Sequence, residues 1–105
     1  LLVGSGSMTH NLHELRREDG PTEPYVTAFC GWVHDTLMQG DLDAMLDYRA
    51  QAPHAARAHP TDEHFLTIYF ALGAAGWGQP GGSAPQYITR DVQFRSISMD
   101  AFSLH

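Results

Sequence analysis

The sequence contains no lysine, only one cysteine and no long apolar run. Each shortage removes a class of function. Six scattered arginines stand against twelve aspartates and glutamates, for a formal charge of -6. Such a chain lacks the clustered cations that neutralise a phosphate backbone, so no nucleic acid partner is expected. Cys30 alone can build neither an internal disulfide nor a cysteine-rich zinc site. No stretch approaches the ~20 apolar residues of a membrane span. No basic, apolar, small-residue leader opens the chain either. The expectation is a cytoplasmic protein with no membrane partner. A length of 105 residues leaves room for one domain, residues 1–105. The composition is 43% hydrophobic and 17% charged, which suits a folded core and argues against disorder.

What the sequence has in excess is histidine, with seven in 105 residues. It also begins on Leu1 rather than Met, inside an apolar stretch. This reads as a piece of a longer protein, or as a numbering that starts late.

Leu1-Leu2-Val3 followed by Gly4-Ser5-Gly6-Ser7 predicts a short strand running into a glycine turn. Its continuous apolar character suits a strand covered on both faces, as in a parallel sheet. Thr9 is a candidate cap for a short helix over residues 10–15. Arg16 to Pro24 is polar and broken by Gly20, Pro21 and Pro24, so a loop is expected there. Val26, Phe29, Cys30, Val33 and Leu37 recur with helical spacing, which predicts an amphipathic helix from Tyr25 to Gln39 ended by Gly40. Asp41 should cap a second helix. Pro53 interrupts near Gln51, and residues 54–59 could form one turn. Thr61, followed by Asp62 and Glu63, predicts a helix to about Ala75. It is apolar nearly all round, hence buried. A glycine-rich loop follows, and Tyr87 to Leu104 reads as one or two strands.

Two segments could carry chemistry. In Gly4-Ser5-Gly6-Ser7-Met8-Thr9-His10-Asn11-Leu12, His10 falls just after a strand and turn, where open α/β sheets place ligands. It reads as a catalytic or metal-binding imidazole, as an anion site built on the turn, or as a plain turn residue. The dinucleotide and P-loop patterns are absent. In His59-Pro60-Thr61-Asp62-Glu63-His64, a histidine sits one turn inside the predicted buried helix, and a buried imidazole needs partners for both nitrogens. His54, His59 and His64 are five apart and do not share one helix face. His13 is expected on the solvent side, and His34, His54 and His105 on the surface. Cys30 reads as a packed small hydrophobe, and nothing singles out Ser5 or Ser7 as a nucleophile.

Taken together, these segments resemble the DODA-type extradiol dioxygenases, the class III ring-cleaving family that includes 4,5-DOPA dioxygenases. Gly4 to Leu12 resembles the family's G-S-G-x-x-x-H-N-L segment. Tyr48 to Leu66 is similar to its A-P-x-A-x-x-A-H-P-T-x-E-H-x-L-P-L stretch. Ser98-Met99-Asp100-Ala101-Phe102 is similar to its closing L-S-M-x-x strand. Thr67 stands where the family usually has proline.

The resemblance implies an α/β fold, a central sheet flanked by helices, of which this chain is the C-terminal part. It implies an oxidoreductase with a mononuclear non-haem Fe(II) site, for which Zn(II) often substitutes, and O₂ as co-substrate. The substrate it implies is a catechol-type aromatic ring. His10 would be the acid–base histidine at the metal, or a ligand itself, and His64 a metal histidine. The family's other metal histidines lie in H-G-S-P and S-A-H-W segments that are absent here. Two imidazoles do not close a three-ligand iron site, so the isolated chain should be inactive and bind metal weakly. The alternatives are an inactive stand-alone binding domain and a small hydrolase-like unit holding an anion. An open sheet edge would favour self-association or pairing with the missing N-terminal part.

Overall fold

The computed structural model describes residues 1–15 and 20–105. Three strands and five helices occur among them: β1 (Leu2–Ser5), α1 (Pro24–Gln39), α2 (Leu42–Leu46), α3 (Tyr48–Gln51), α4 (Ala55–Ala58), α5 (Thr67–Ala74), β2 (Gln86–Gln93) and β3 (Ile97–Leu104). The sheet order is β1-β3-β2, and both pairings are antiparallel. The expected α/β character is present. The covered, parallel first strand is not. β1 pairs antiparallel with β3, Leu2 opposite Leu104, and its residues alternate between half-buried and exposed. An apolar run as short as Leu1 to Val3 cannot distinguish those two environments.

β3 is the central strand because both edges are paired and its Phe102 and Leu104 join the core. The helix over residues 25–39 forms as its spacing predicts. Its Val26, Phe29, Val33 and Leu37 side chains are fully buried, and Gly40 ends it at φ 68°. That left-handed conformation is one glycine adopts without a Cβ clash. Asp41 caps α2, accepting a hydrogen bond from the Ala44 amide at 3.1 Å. At β1, a side chain on Gly4 would meet the Phe102 ring at 2.7 Å, so this position needs glycine for close packing.

Three local expectations are corrected. Thr9 does not cap a helix. It is buried, with its hydroxyl donating to Ser96 O at 2.6 Å and accepting from the Ser98 amide at 2.9 Å. The helix expected over residues 10–15 shrinks to a 3-10 turn, Leu12–Glu14, capped by Asn11. α5 begins at Thr67 rather than near Thr61, and residues 61–66 are turns. There the Thr61 hydroxyl donates to Glu63, while Tyr48 and Arg49 take the Asp62 carboxylate, so tertiary bonds compete with helix formation. Nor is α5 buried all round: Leu72 is its buried residue, and Phe70 is 81% exposed. Of the loop expected over Arg16 to Pro24, residues 16–19 lie outside the described residues. Pro24 opens α1 as its first residue.

One buried carboxyl gives a stability prediction. Asp100 is 2% exposed, and among the described residues its Oδ2 has no hydrogen-bond partner, while Oδ1 accepts from the Ser98 hydroxyl. Burial pushes the Asp100 pKa up from the usual aspartate value, and the Ser98 bond opposes this. The folded protein therefore keeps this proton to higher pH than the unfolded chain does. Stability should fall as pH rises from the ordinary aspartate pKa to the raised one, and stay lower above it. Asp100→Asn is expected to flatten that region and raise stability at neutral pH. Urea midpoints from about pH 4 to about pH 8 check this; an unchanged slope would assign it to another group.

Candidate functional site

The two histidines singled out by the sequence meet in space. The His10 and His64 rings are stacked, with centroids 3.7 Å apart and planes 21° from parallel. They come from segments more than fifty residues apart, and each segment is held by its own set of bonds.

His10 follows β1 on a stretch of backbone tied down on two sides. Toward the sheet, the Met8 amide donates to Ser98 O at 2.7 Å, and Thr9 makes the two bonds to Ser96 and Ser98. Toward α4, the His10 amide donates to Ala58 O at 2.8 Å and the Asn11 side-chain amide donates to Arg57 O at 2.7 Å. Arg57 also pairs with Glu14, its Nη2 lying 2.6 Å from Oε1, and its guanidinium covers the Tyr25 ring at 4.1 Å. His64 sits in the turns before α5 and not inside a helix, which corrects the expected placement. The Tyr48 hydroxyl and Arg49 Nη1 both donate to Asp62, and the same Arg49 nitrogen donates to His59 O at 2.9 Å. These bonds and the guanidinium hold the Asp62 carboxyl below the usual range, the Tyr48 hydroxyl bond contributing most. The His64 side chain is 48% exposed, with Nε2 3.9 Å from Glu63 Oε1. One imidazole is therefore half-buried and fixed by backbone bonds, while the other stands at the rim.

A cavity of about 170 Å³ opens beside the pair, lined by the β1–turn backbone from Val3 to Met8 and by His64, Phe65 and Ile68.

The remaining sites separate cleanly. His13 is exposed, as expected, and so are His54 and His105; His34 is half-buried beside Asp35 and Tyr87. Cys30 is buried and its thiol is pushed up to about 11, mainly by desolvation, so it is not a thiolate nucleophile. The Ser7 hydroxyl lies against Met99 Sδ at 3.6 Å, not against a base. The residue that sequence reasoning passed over is His59, which is fully buried against Phe29 and Phe65. A histidine beside Ala55, Ala58 and Phe65 was an available signal, since an apolar neighbourhood obliges an imidazole to find a partner.

Among the described residues, no group of three or more His, Cys, Asp or Glu side chains is placed to hold a metal ion. The His10 and His64 imidazoles are of the donor type a transition metal takes, and two are fewer than a closed site needs.

The comparisons with known proteins bear on the same segments. The chain matches, over residues 1–98, the family described as the catalytic LigB subunit of aromatic ring-opening dioxygenase. It is 36% identical over 76 residues to the 4,5-DOPA dioxygenase extradiol of Beta vulgaris. To the protein of the same name from Portulaca grandiflora it is 32% identical over 77 residues. Each match covers 72% of this chain and 28% of the relative, so the chain spans under a third of the length of the curated relatives it matches. Among solved structures, an uncharacterized protein from Escherichia coli K12 has a TM-score of 0.75 at 25% identity, over 95% of this chain and 41% of that one. Three ordered segments, a shared fold and a match running from residue 1 to residue 98 agree: the chain belongs to the LigB family of aromatic ring-opening dioxygenases, alongside the DODA-type extradiol enzymes.

Proposed function

We propose that this chain is the C-terminal part of a DODA-type extradiol dioxygenase that opens the ring of a catechol-type substrate with O₂. The observation that carries the reading is the stacked His10–His64 pair, of which His64 lines a small cavity. Fe(II), with Zn(II) as a substitute, is the metal proposed for the complete site; when bound it supplies the redox chemistry of ring opening. In that site His64, exposed at the rim, would be a ligand to the metal. His10 would be the imidazole that takes a proton from the substrate hydroxyl and returns it. The reverse assignment, with His10 as ligand, needs only the rings to exchange roles.

Two imidazoles are fewer than the three protein ligands such an iron site uses. The missing donors come from the N-terminal part of the same fold. The 105-residue chain by itself is therefore inactive and binds metal weakly. A second reading, an inactive domain that associates with other chains, is favoured by the outer edge of β1, unpaired among the described residues, and by exposed Leu1, Val3, Leu66 and Phe70.

The test is oxygen uptake by the full-length protein after anaerobic Fe(II) loading, with a panel of catechols. Uptake coupled to a ring-opened, absorbing product is expected; its absence with every catechol would leave the binding-domain reading. In parallel, titration of the isolated chain with Zn(II) should show no tight stoichiometric binding.

A further inference from the structure

We propose that His59 is a positioning residue, whose buried imidazole clamps the Met8–Asn11 backbone and so fixes the His10 ring against His64. The inference rests on the proposed catalytic reading only for what the pair does; the clamp itself stands on geometry.

His59 is 0% exposed. Its Nε2 lies 2.6 Å from Met8 O, across 51 residues of sequence. A carbonyl can only accept, so Nε2 carries the proton and Nδ1 is the bare nitrogen. Among the described residues Nδ1 has no hydrogen-bond partner, and the ring packs against Phe29 and Phe65, with centroids 5.7 and 4.9 Å away. Burial lowers the pKa of His59, which keeps the ring neutral and in this one tautomer.

The bond joins a series. Met8 O receives His59, the His10 amide donates to Ala58 O, and Asn11 donates to Arg57 O. Three consecutive residues, Arg57 to His59, thus hold the strand-exit segment carrying His10. The same His59 carbonyl accepts from Arg49, which holds Asp62 two residues before His64. His59 is therefore the residue common to both supports of the pair. A side chain that only filled space there could be leucine or phenylalanine. The one property histidine adds is a donor at the far end of a flat apolar ring.

The test compares the full-length wild type with His59→Leu, which removes the donor, and His59→Gln, which returns one at similar reach. In the metal-free wild type, long-range ¹⁵N–¹H spectra should show His59 as the Nε2–H tautomer with a slowly exchanging proton. A proton on Nδ1, or a freely exchanging ring, would overturn the clamp before any variant is made. In His59→Leu, exchange of the His10 amide should accelerate at least about tenfold while amides of α1 hold. The contact between the His10 and His64 rings should weaken. With iron and a catechol, kcat should fall about 100-fold with KM little changed, as for a misplaced catalytic group. His59→Gln should restore most of each. If His59→Leu does not fold, His59→Gln decides: retained His10 protection supports the clamp, and its loss overturns it. Unaltered His10 protection in His59→Leu also overturns it. Failure of the wild type to cleave any catechol would refute the proposed function instead, while the exchange and ring-contact measurements still judge His59.

Discussion

Replacing His10 by alanine in the full-length, iron-loaded protein is expected to lower ring-cleaving turnover by about 10²- to 10⁴-fold, the range lost with a general acid–base group. Metal content should change little. His64→Ala should behave oppositely, losing metal first, with affinity weakened more than the roughly 10- to 100-fold seen for groups that merely support a ligand. The contrast follows from the proposed roles, His64 as a ligand and His10 as the acid–base group beside it in the stacked pair. The measurements are metal analysis after dialysis and initial rates at saturating catechol. Equal loss of metal in both variants would assign both rings to coordination. Full activity in both would remove the pair from the chemistry altogether.

The second large effect is structural. Phe65→Ala is expected to cost about 3–5 kcal/mol, a large part of the ~5–15 kcal/mol that holds a typical domain folded. Phe65 follows His64 directly and is 1% exposed. Its ring lies 4.5 Å from that of Tyr48, 4.9 Å from His59, 5.6 Å from Phe29 and 5.8 Å from Tyr69. Removing it opens a cavity beneath the turn that presents His64 and unseats the ring of His59. Urea denaturation should show a lower midpoint. A loss below about 1 kcal/mol would mean the surroundings collapse into the space more completely than aromatic cores usually allow.

The difference between what the sequence disclosed and what it withheld has a physical basis. α1 was legible because Val26, Phe29, Val33 and Leu37 repeat at helical spacing and Gly40 provides the left-handed stop, all of it local information. The extended character of residues 87–104 was legible as one or two strands, though their pairing was not. The meeting of His10 and His64 came from ordered family segments and not from periodicity, because no local pattern encodes contacts between distant positions. The start of α5 was misread because Thr61 and Asp62 look like capping residues. Their side chains instead bond Glu63, Tyr48 and Arg49, and two of those partners lie more than ten residues away. β1 was misread because an antiparallel edge strand and a central parallel one look alike over an apolar run as short as Leu1 to Val3. His59 went unassigned since its partner, the Met8 carbonyl, is backbone and leaves no mark on side-chain composition.

The pairing of Leu2 with Leu104 also determines when this unit can take shape. The strand that leads to His10 finds this neighbour only about a hundred residues later, so a ribosome must release all of that intervening chain before the two can pair. Contacts between such distant positions slow folding, and the site that His10 belongs to can form no sooner than this sheet does.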